Sequence, residues 1–329
     1  MYNNVEIIDQ FYEGAPMSAW KILITDGLDS NGIEILRKSA EVVDKPGISA
    51  DDLLKEIGEY DALIVRGRTK VIPAVFEAGK KLKVVGRAGM GVDNIDLPTA
   101  KASNVTVVNS PLATTTTVAE LTLGLMLSAV REIARADASL KAGKWLKKEF
   151  EGAELSGKTL GVIGFGRIGA AVAKRAAAFD MKILGYDPNI TDEDIELRGG
   201  NPVSLDELLK QSDMITMHLP LTADTKNMLN SAAFAKMKDG VYIICAARGG
   251  VIEENALLDA LNSGKVAGAA LDVFAAEPPG LTDLVSHPKV VGTPHIGAQT
   301  AEAQSRAAND IAEEILAALN DKPLRWKVA

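Results

Sequence analysis

Cysteine is almost missing from this sequence. Cys245 stands alone among 329 residues, so no disulfide framework can form, and such usage is typical of a reducing, cytoplasmic setting. Long apolar runs are missing as well. No stretch of about 18 apolar residues is available to span a bilayer, so no membrane partner is expected. The opening residues, MYNNVEIIDQFYEGAP, carry acids and lack an apolar core, so they are not expected to be a secretory signal. Residues 1–16 are expected to form a poorly ordered extension, with the folded part starting at Met17. Positive charge is in deficit: 36 Lys and Arg against 44 Asp and Glu give −8. That balance argues against nucleic acid as a partner over the whole surface. Low-complexity tracts and short-period repeats are absent, and histidine occurs only three times.

What is present is an ordinary globular balance, 47% hydrophobic and 24% charged, over a length that suits two domains. Short apolar segments alternate with helical ones. KILIT (21–25), ALIV (62–65), LKVVG (82–86) and VTVV (105–108) read as strands, separated by an amphipathic piece at 30–39, PAVFEAGKK and DLPTAKAS. Residues 116–143 break the rhythm. They read as one long helix or two consecutive ones, and the domain switch is placed there. A second alternating set follows: TLGVI, MKILGY, MITM, VYII, VAGAAL and KVVG (289–292). Strands alternating with helices imply parallel sheets covered on both faces. The last helical segment carries Ile311, Ile315 and Leu319 on one face, and is expected to return to the first domain.

TLGVIGFGRIG places Gly164, Gly166 and Gly169 directly after a strand and at the start of a helix. The first glycine permits a tight turn, the second lets a pyrophosphate approach the backbone, and the third lets helix pack on strand. The pyrophosphate would sit near the backbone of Arg167 and Ile168. The next strand ends at Asp187, where an acid suits the ribose hydroxyls of NAD and repels a 2′-phosphate. The predicted fold is α/β, two Rossmann-like doubly wound parallel-sheet domains with a cleft between them. Residues 17–112 plus 299–329 would form a discontinuous substrate-binding domain, and 113–298 the NAD-binding domain.

Two strands of the first set end in arginine, at Arg66 and Arg87. Ligands of open α/β sheets bind beyond the carboxyl ends of strands, and guanidinium groups meeting there predict a small anionic substrate. Ala88 and Gly89 add backbone N–H groups suited to a carboxylate. Arg68 and Lys70 read instead as solvated surface charges. Of the histidines, His218 ends a strand beside the expected cofactor site, and His287 reads as a surface loop residue. His295 lies between the last strand and the last helix, flanked by Pro294 and Gly297. AALDVFAAEPPG supplies Asp272 and Glu277, the latter on a loop constrained by two prolines. A carboxylate bonded to an imidazole fixes its tautomer, as a proton shuttle needs. The segment IICAARGG ends an apolar run of strand type in Arg248 and two glycines, and a buried strand has little use for a guanidinium at its end.

Taken together, ALIVRGRTKV, VVGRAGMGVDNIDL, GKTLGVIGFGRIG, GYDP, ARGGVIEENALLDALNSGKVAGAALDVFAAEPP and PHIGAQTAEAQSR resemble the D-2-hydroxyacid dehydrogenase family, over about Lys21 to Leu319. Within it the segments are most like the phosphoglycerate dehydrogenases, in a short form without C-terminal regulatory domains, so serine inhibition through such a domain is not expected. The resemblance implies a triad. Arg248 would bind the substrate's carboxylate and carbonyl oxygen, His295 would exchange the hydroxyl proton, and Glu277 would orient His295. It maps cofactor contacts onto Met90, Arg167, Ile168, Asp187, Leu219, Ala246, Ala247, Arg248, Asp272, His295, Gly297 and Ala298, with the three glycines. It implies oxidation of D-3-phosphoglycerate with NAD at the start of serine biosynthesis, no metal, and a homodimer formed through the 116–143 helices. Two alternatives stand beside it: a hydroxypyruvate or glyoxylate reductase on the same scaffold, and an NAD-sensing corepressor-like binding protein. The chain departs from the family's usual residues at Met90, Thr114, Thr117, Cys245 and Gln299.

Overall fold

A computed structural model describes residues 20–329. The expected extension over 1–16 and the start at Met17 lie outside the described residues. The chain forms two compact units. One runs to Thr114 and resumes as Thr300–Ala329; the other is Thr115–Gln299. The crossings therefore fall after Thr114 and Gln299, where the sequence reading placed them after residues 112 and 298.

In the first unit, β1 (Trp20–Ile24), β2 (Ala40–Asp44), β3 (Ala62–Val65), β4 (Val84–Arg87) and β5 (Thr106–Asn109) make one parallel sheet in the order β2-β1-β3-β4-β5. The inner strand β3, ALIV, is buried along its whole length, as a strand covered on both faces should be. Strand β2, AEVVD, has no such signature. It is an edge strand, buried only at Ala40, which is why the sequence pattern passes over it.

The helix Ala301–Leu319 belongs to this unit. Thr300 caps it by accepting from Ala303 N at 3.2 Å. Its small residues permit close packing: a Cβ on Gly32 would stand 2.6 Å from Ala308 O. Farther along, Ile311 and Ile315 lie over Gly86, where a Cβ would meet Ile311 at 2.8 Å. Gly86 thus lets the helix settle on β4 one residue before Arg87. Ile311 and Ile315 join Ile22, Ile24, Ile64 and Val84 in one buried cluster.

The second unit holds β6 (Thr159–Ile163), β7 (Lys182–Tyr186), β8 (Asn201–Pro202), β9 (Met214–Met217), β10 (Val241–Cys245), β11 (Val266–Leu271) and β12 (Val290–Gly292), parallel in the order β12-β11-β10-β9-β6-β7-β8. The two-residue β8 is too short to leave a periodic signal. Residues 116–143 resolve into two helices, Thr115–Val130 and Ile133–Lys141, parted where Glu132 adopts φ 52°. The first buries Ala119, Leu123, Met126 and Val130 in the core of the unit; the second buries none of its residues. Among the described residues, no helix is long and apolar enough to cross a membrane.

Candidate active site

Strand order reverses once in each sheet, and the loops on either side of a reversal part to leave a crevice beyond the strand ends. In the second unit the reversal lies between β6 and β9. Gly164 follows β6 with φ +91°, and a Cβ there would stand 2.7 Å from the carbonyl of His218, the residue after β9. His218 N in turn donates to Ile163 O at 2.7 Å. A Cβ on Gly169 would overlap Gly164 O, whereas one on Gly166 would meet nothing within 4 Å. The two outer glycines are needed by the fold itself, and Gly166 leaves open space before the helix Arg167–Ala177. Gly166 caps that helix without any side-chain bond, so its first N–H groups keep their capacity for an anion.

Phe165 anchors the loop. Its ring is fully buried in a slot where a Cβ on Gly185 would stand 2.8 Å from it. Its N–H donates to Asp187 Oδ2 at 2.8 Å, and its carbonyl accepts from Arg198 at 2.9 Å. Asp187 also accepts from Asn189 N at 2.9 Å. The strand-end acid therefore holds the glycine loop as well as standing where a ribose would be met. An open cradle at Gly166, uncapped N–H groups and a carboxylate at the end of β7 fit a dinucleotide.

Beyond β9, β10 and β11 lie the acid–base residues. His295 Nδ1 and Glu277 Oε2 are 2.7 Å apart. Glu277 Oε1 accepts from Phe274 N at 3.2 Å, so both carboxylate oxygens are placed. With the carboxylate on Nδ1, the neutral ring carries its proton there and turns Nε2 outward as a base. His295 sits at φ 52°, a left-handed conformation that costs a non-glycine residue energy. Asp272 holds it. This carboxylate, 1% exposed, accepts from Thr293 Oγ1 at 2.7 Å, Ile296 N at 2.8 Å and Gly297 N at 2.8 Å, while Asp272 O accepts from His295 N at 2.9 Å. The sequence reading missed Thr293; its only signal is its place two residues before His295.

Arg248 stands in the turn after β10, its Nη1 donating to Ala247 O at 2.7 Å. A Cβ on Gly249 would overlap Phe274 O, so only glycine lets the Arg248 turn lie against the segment that leads to Glu277. Ala246 and Ala247 are buried beside it, as is Leu219 beside Gly164. Ala298 follows Gly297 in the turn after His295. Cys245, just before this turn, is fully buried, and its Sγ lies 3.9 Å from Arg248 O. Burial pushes its thiol up to about 11. His218 has Nε2 3.0 Å from Thr216 Oγ1, while its Nδ1 is buried without a partner among the described residues. Burial holds this imidazole down to about 3, so it is neutral and a poor proton carrier. His287 is half-buried and bonds Lys289 N at 3.1 Å.

In the first unit, Arg66 follows β3 and Arg87 is the last residue of β4, both at the carboxyl ends of inner strands. The half-buried Arg66 side chain forms no hydrogen bond or ion pair to another described residue, and burial lowers its pKa against the opposing charge of Asp26. Arg87 Nη1 donates to Ala88 O at 3.3 Å, and its guanidinium lies where a Cβ on Gly89 would be. Met90 O accepts from Asn109 Nδ2 at 2.6 Å. Arg68 corrects the sequence reading. Although half its side chain is exposed, it is no idle surface charge: it donates to Thr25 O at 2.9 Å and Ile48 O at 3.2 Å, and its Nε lies 3.4 Å from Asp26.

The description "D-isomer specific 2-hydroxyacid dehydrogenase, NAD binding domain" matches residues 123–297. The chain belongs to this family, and those residues are its NAD-binding domain. A D-3-phosphoglycerate dehydrogenase of Methanocaldococcus jannaschii is 50% identical over 296 residues, 90% of this chain and 56% of the relative. The chain thus spans about half the length of such relatives. A hydroxypyruvate reductase of Thermotoga maritima is 49% identical over 305 residues, covering 91% of this chain and 98% of the relative. Among solved structures, a D-lactate dehydrogenase from Aquifex aeolicus, in complex with NAD and lactic acid, superposes with TM-score 0.80 at 31% identity, over 91% of this chain and 96% of that one.

Proposed function

We propose that the protein is an NAD-dependent D-2-hydroxyacid dehydrogenase that oxidises D-3-phosphoglycerate to 3-phosphohydroxypyruvate. The observation that carries the acid–base part is the 2.7 Å contact between His295 Nδ1 and Glu277 Oε2. The bound nicotinamide supplies the acceptor for the C2 hydride. His295 Nε2 takes the hydroxyl proton as the C2–O bond becomes a carbonyl, and returns it in the reverse reaction. Glu277 balances the imidazolium that forms. Arg248 binds the carboxylate and polarises the oxygen at C2. Gly164, Gly166, Arg167, Ile168, Gly169 and Asp187 hold the dinucleotide, Asp272 lies near the nicotinamide, and Leu219, Ala246, Ala247, Gly297 and Ala298 are further cofactor contacts by resemblance to the family.

The phosphoglycerate reading is favoured because Arg66 is a half-buried cation without an acceptor among the described residues. Arg66 and Arg87, with Ala88 and Gly89, would meet the substrate's anionic groups. This reaction would open serine biosynthesis, and a single buried cysteine suits a cytoplasmic setting. A second reading is favoured by the Thermotoga maritima relative, whose name is hydroxypyruvate reductase and which this chain covers almost completely. NADH formation with 3-phosphoglycerate, D-glycerate, lactate and malate, set beside NADH consumption with hydroxypyruvate, separates the two. Turnover of hydroxypyruvate alone defeats the first reading, and NADH binding without any turnover would mean a sensing protein.

We also propose a homodimer through the helices Thr115–Val130 and Ile133–Lys141. Ile133, Leu140 and the nearby Trp145 are exposed apolar side chains, and two-fold contacts are the commonest assemblies. Light scattering tests it: a monomer at working concentration rules it out.

A further inference from the structure

The first unit has its own strand reversal, between β1 and β3, and one carboxylate bridges it. Asp26 follows β1. Its Oδ2 accepts from Arg66 N at 2.8 Å and Thr69 N at 3.1 Å, its Oδ1 from Thr69 Oγ1 at 2.5 Å, and Arg68 Nε lies 3.4 Å away. Asn94, in the loop after β4, grips the same turn from the other side. Its Nδ2 donates to Arg66 O at 3.1 Å and Thr69 O at 2.7 Å. One side chain takes the N–H groups at both ends of the turn Arg66–Thr69, and the other takes the carbonyls.

The middle of the turn is left open. The N–H groups of Gly67 and Arg68 find no acceptor among the described residues, and a Cβ on Gly67 would meet nothing within 4 Å. Arg66, next in the chain, has a guanidinium that forms no hydrogen bond or ion pair to another described residue. A buried carboxylate near an anion would normally repel it, but this one is already surrounded by donors. Burial works to raise the Asp26 pKa, yet the bonds from Thr69 and Arg66 and the charge of Arg68 hold it below the ordinary value. Its charge is spent on the turn.

We propose that Asp26 and Asn94 are positioning residues for substrate binding, which fix the Arg66–Thr69 turn so that Arg66 and the N–H groups of Gly67 and Arg68 meet an anionic group of the substrate. The proposal rests on the reading that Arg66 contacts the substrate. Preorganised donors cost no ordering when the ligand arrives, so loosening the turn weakens binding and leaves the chemical step alone.

The test uses steady-state kinetics of Asp26→Asn, Asn94→Ala, Arg66→Ala and the double variant Asp26→Asn/Arg66→Ala. Asp26→Asn is expected to raise KM for 3-phosphoglycerate about tenfold, the loss of one or two charge-assisted bonds. Its kcat should stay within about twofold and its NADH affinity should not change. In the double variant the rise in KM should be smaller than the product of the two single rises, because part of the Asp26 effect runs through Arg66 and the rest through the N–H groups of the turn. Additive effects, or a lower kcat at unchanged KM, would mean a general structural role and overturn the proposal. A raised KM in Arg66→Ala with no change in Asp26→Asn and Asn94→Ala overturns the proposal alone. An unchanged KM in Arg66→Ala overturns the Arg66 contact and the proposal with it. Should Asp26→Asn not fold, Thr69→Val removes a single bond to Asp26; it should raise KM about threefold, and no rise overturns the proposal. The inhibition constant of D-glycerate names the anion: a rise confined to the phosphorylated compound supports the turn as a phosphate site, and an equal rise supports it as a carboxylate site.

Discussion

The two strand reversals solve opposite problems with different parts. In the second unit, the crevice at β6 and β9 is made by leaving atoms out: Gly164 and Gly169 let backbone pack on backbone, Gly166 leaves open space before the helix, and Phe165 pins the loop from beneath. In the first, the crevice at β1 and β3 is made by adding charge: Asp26 and Asn94 hold a turn that carries Arg66. A dinucleotide's pyrophosphate is long and needs close approach, which a methyl group would block. A small acid needs a cation placed beside fixed N–H groups. The first crevice should break when atoms are added, and the second when charge is removed.

The contrast is sharpest if chemistry can be taken away while both crevices remain. His295→Asn should lower kcat about a thousandfold, within the usual range for a lost acid–base group, with NADH binding by fluorescence titration unchanged. Residual turnover near the original rate would defeat the proton role. Next, Gly166→Ala should fold with an unaltered melting temperature yet bind NADH about thirtyfold more weakly, since its Cβ meets only the space a pyrophosphate would take. Gly169→Ala should fail differently, by losing stability, because its Cβ would overlap Gly164 O. If both variants merely melt early, the distinction between ligand space and packing space collapses. On the charged side, Arg66→Ala should raise KM for 3-phosphoglycerate about tenfold, and added salt should raise KM less in this variant than in the parent.

A smaller effect concerns acid stability. His218 is held to about 3 in the folded chain, well below an ordinary imidazole. Its depressed pKa means that the unfolded chain binds a proton first as pH falls below about 6.5. Stability should therefore drop between that value and about 3, and His218→Asn should flatten this limb in denaturant titrations run across pH. The smallest effect is on Cys245. With its thiol at about 11, only about one molecule in a thousand is thiolate at pH 8, so iodoacetamide should leave the native enzyme active and unlabelled. Rapid labelling of folded protein would show that the strand end opens.

Much of this was legible because regular packing leaves periodic traces. β3, β6, β9 and β11 lie where unbroken apolar segments end in arginine, glycine, histidine or aspartate, and the glycine loop announces itself by spacing. Edge strands carry less signal: β2 is only partly buried, and β8 has two residues. The supporting side chains were harder still. Asp26, Asn94 and Thr293 look like ordinary loop residues in the sequence, because their roles depend on partners 25 to 43 positions away for the first two. Arg68 was misread for the same reason: its acceptors, Thr25 O and Ile48 O, are distant in the chain.

The helix Ala301–Leu319 has a consequence for the order of assembly. It completes the buried cluster around Ile22, Ile64 and Val84, yet a ribosome delivers it only after all of Thr115–Gln299. The second unit can close as soon as its own residues have emerged. The first must wait with part of its sheet uncovered until Ile311 and Ile315 arrive, a long interval for an apolar surface that chaperones could recognise. Nascent chains halted shortly before residue 301 should therefore be protease-sensitive over residues 20–114 while the middle of the chain already resists digestion.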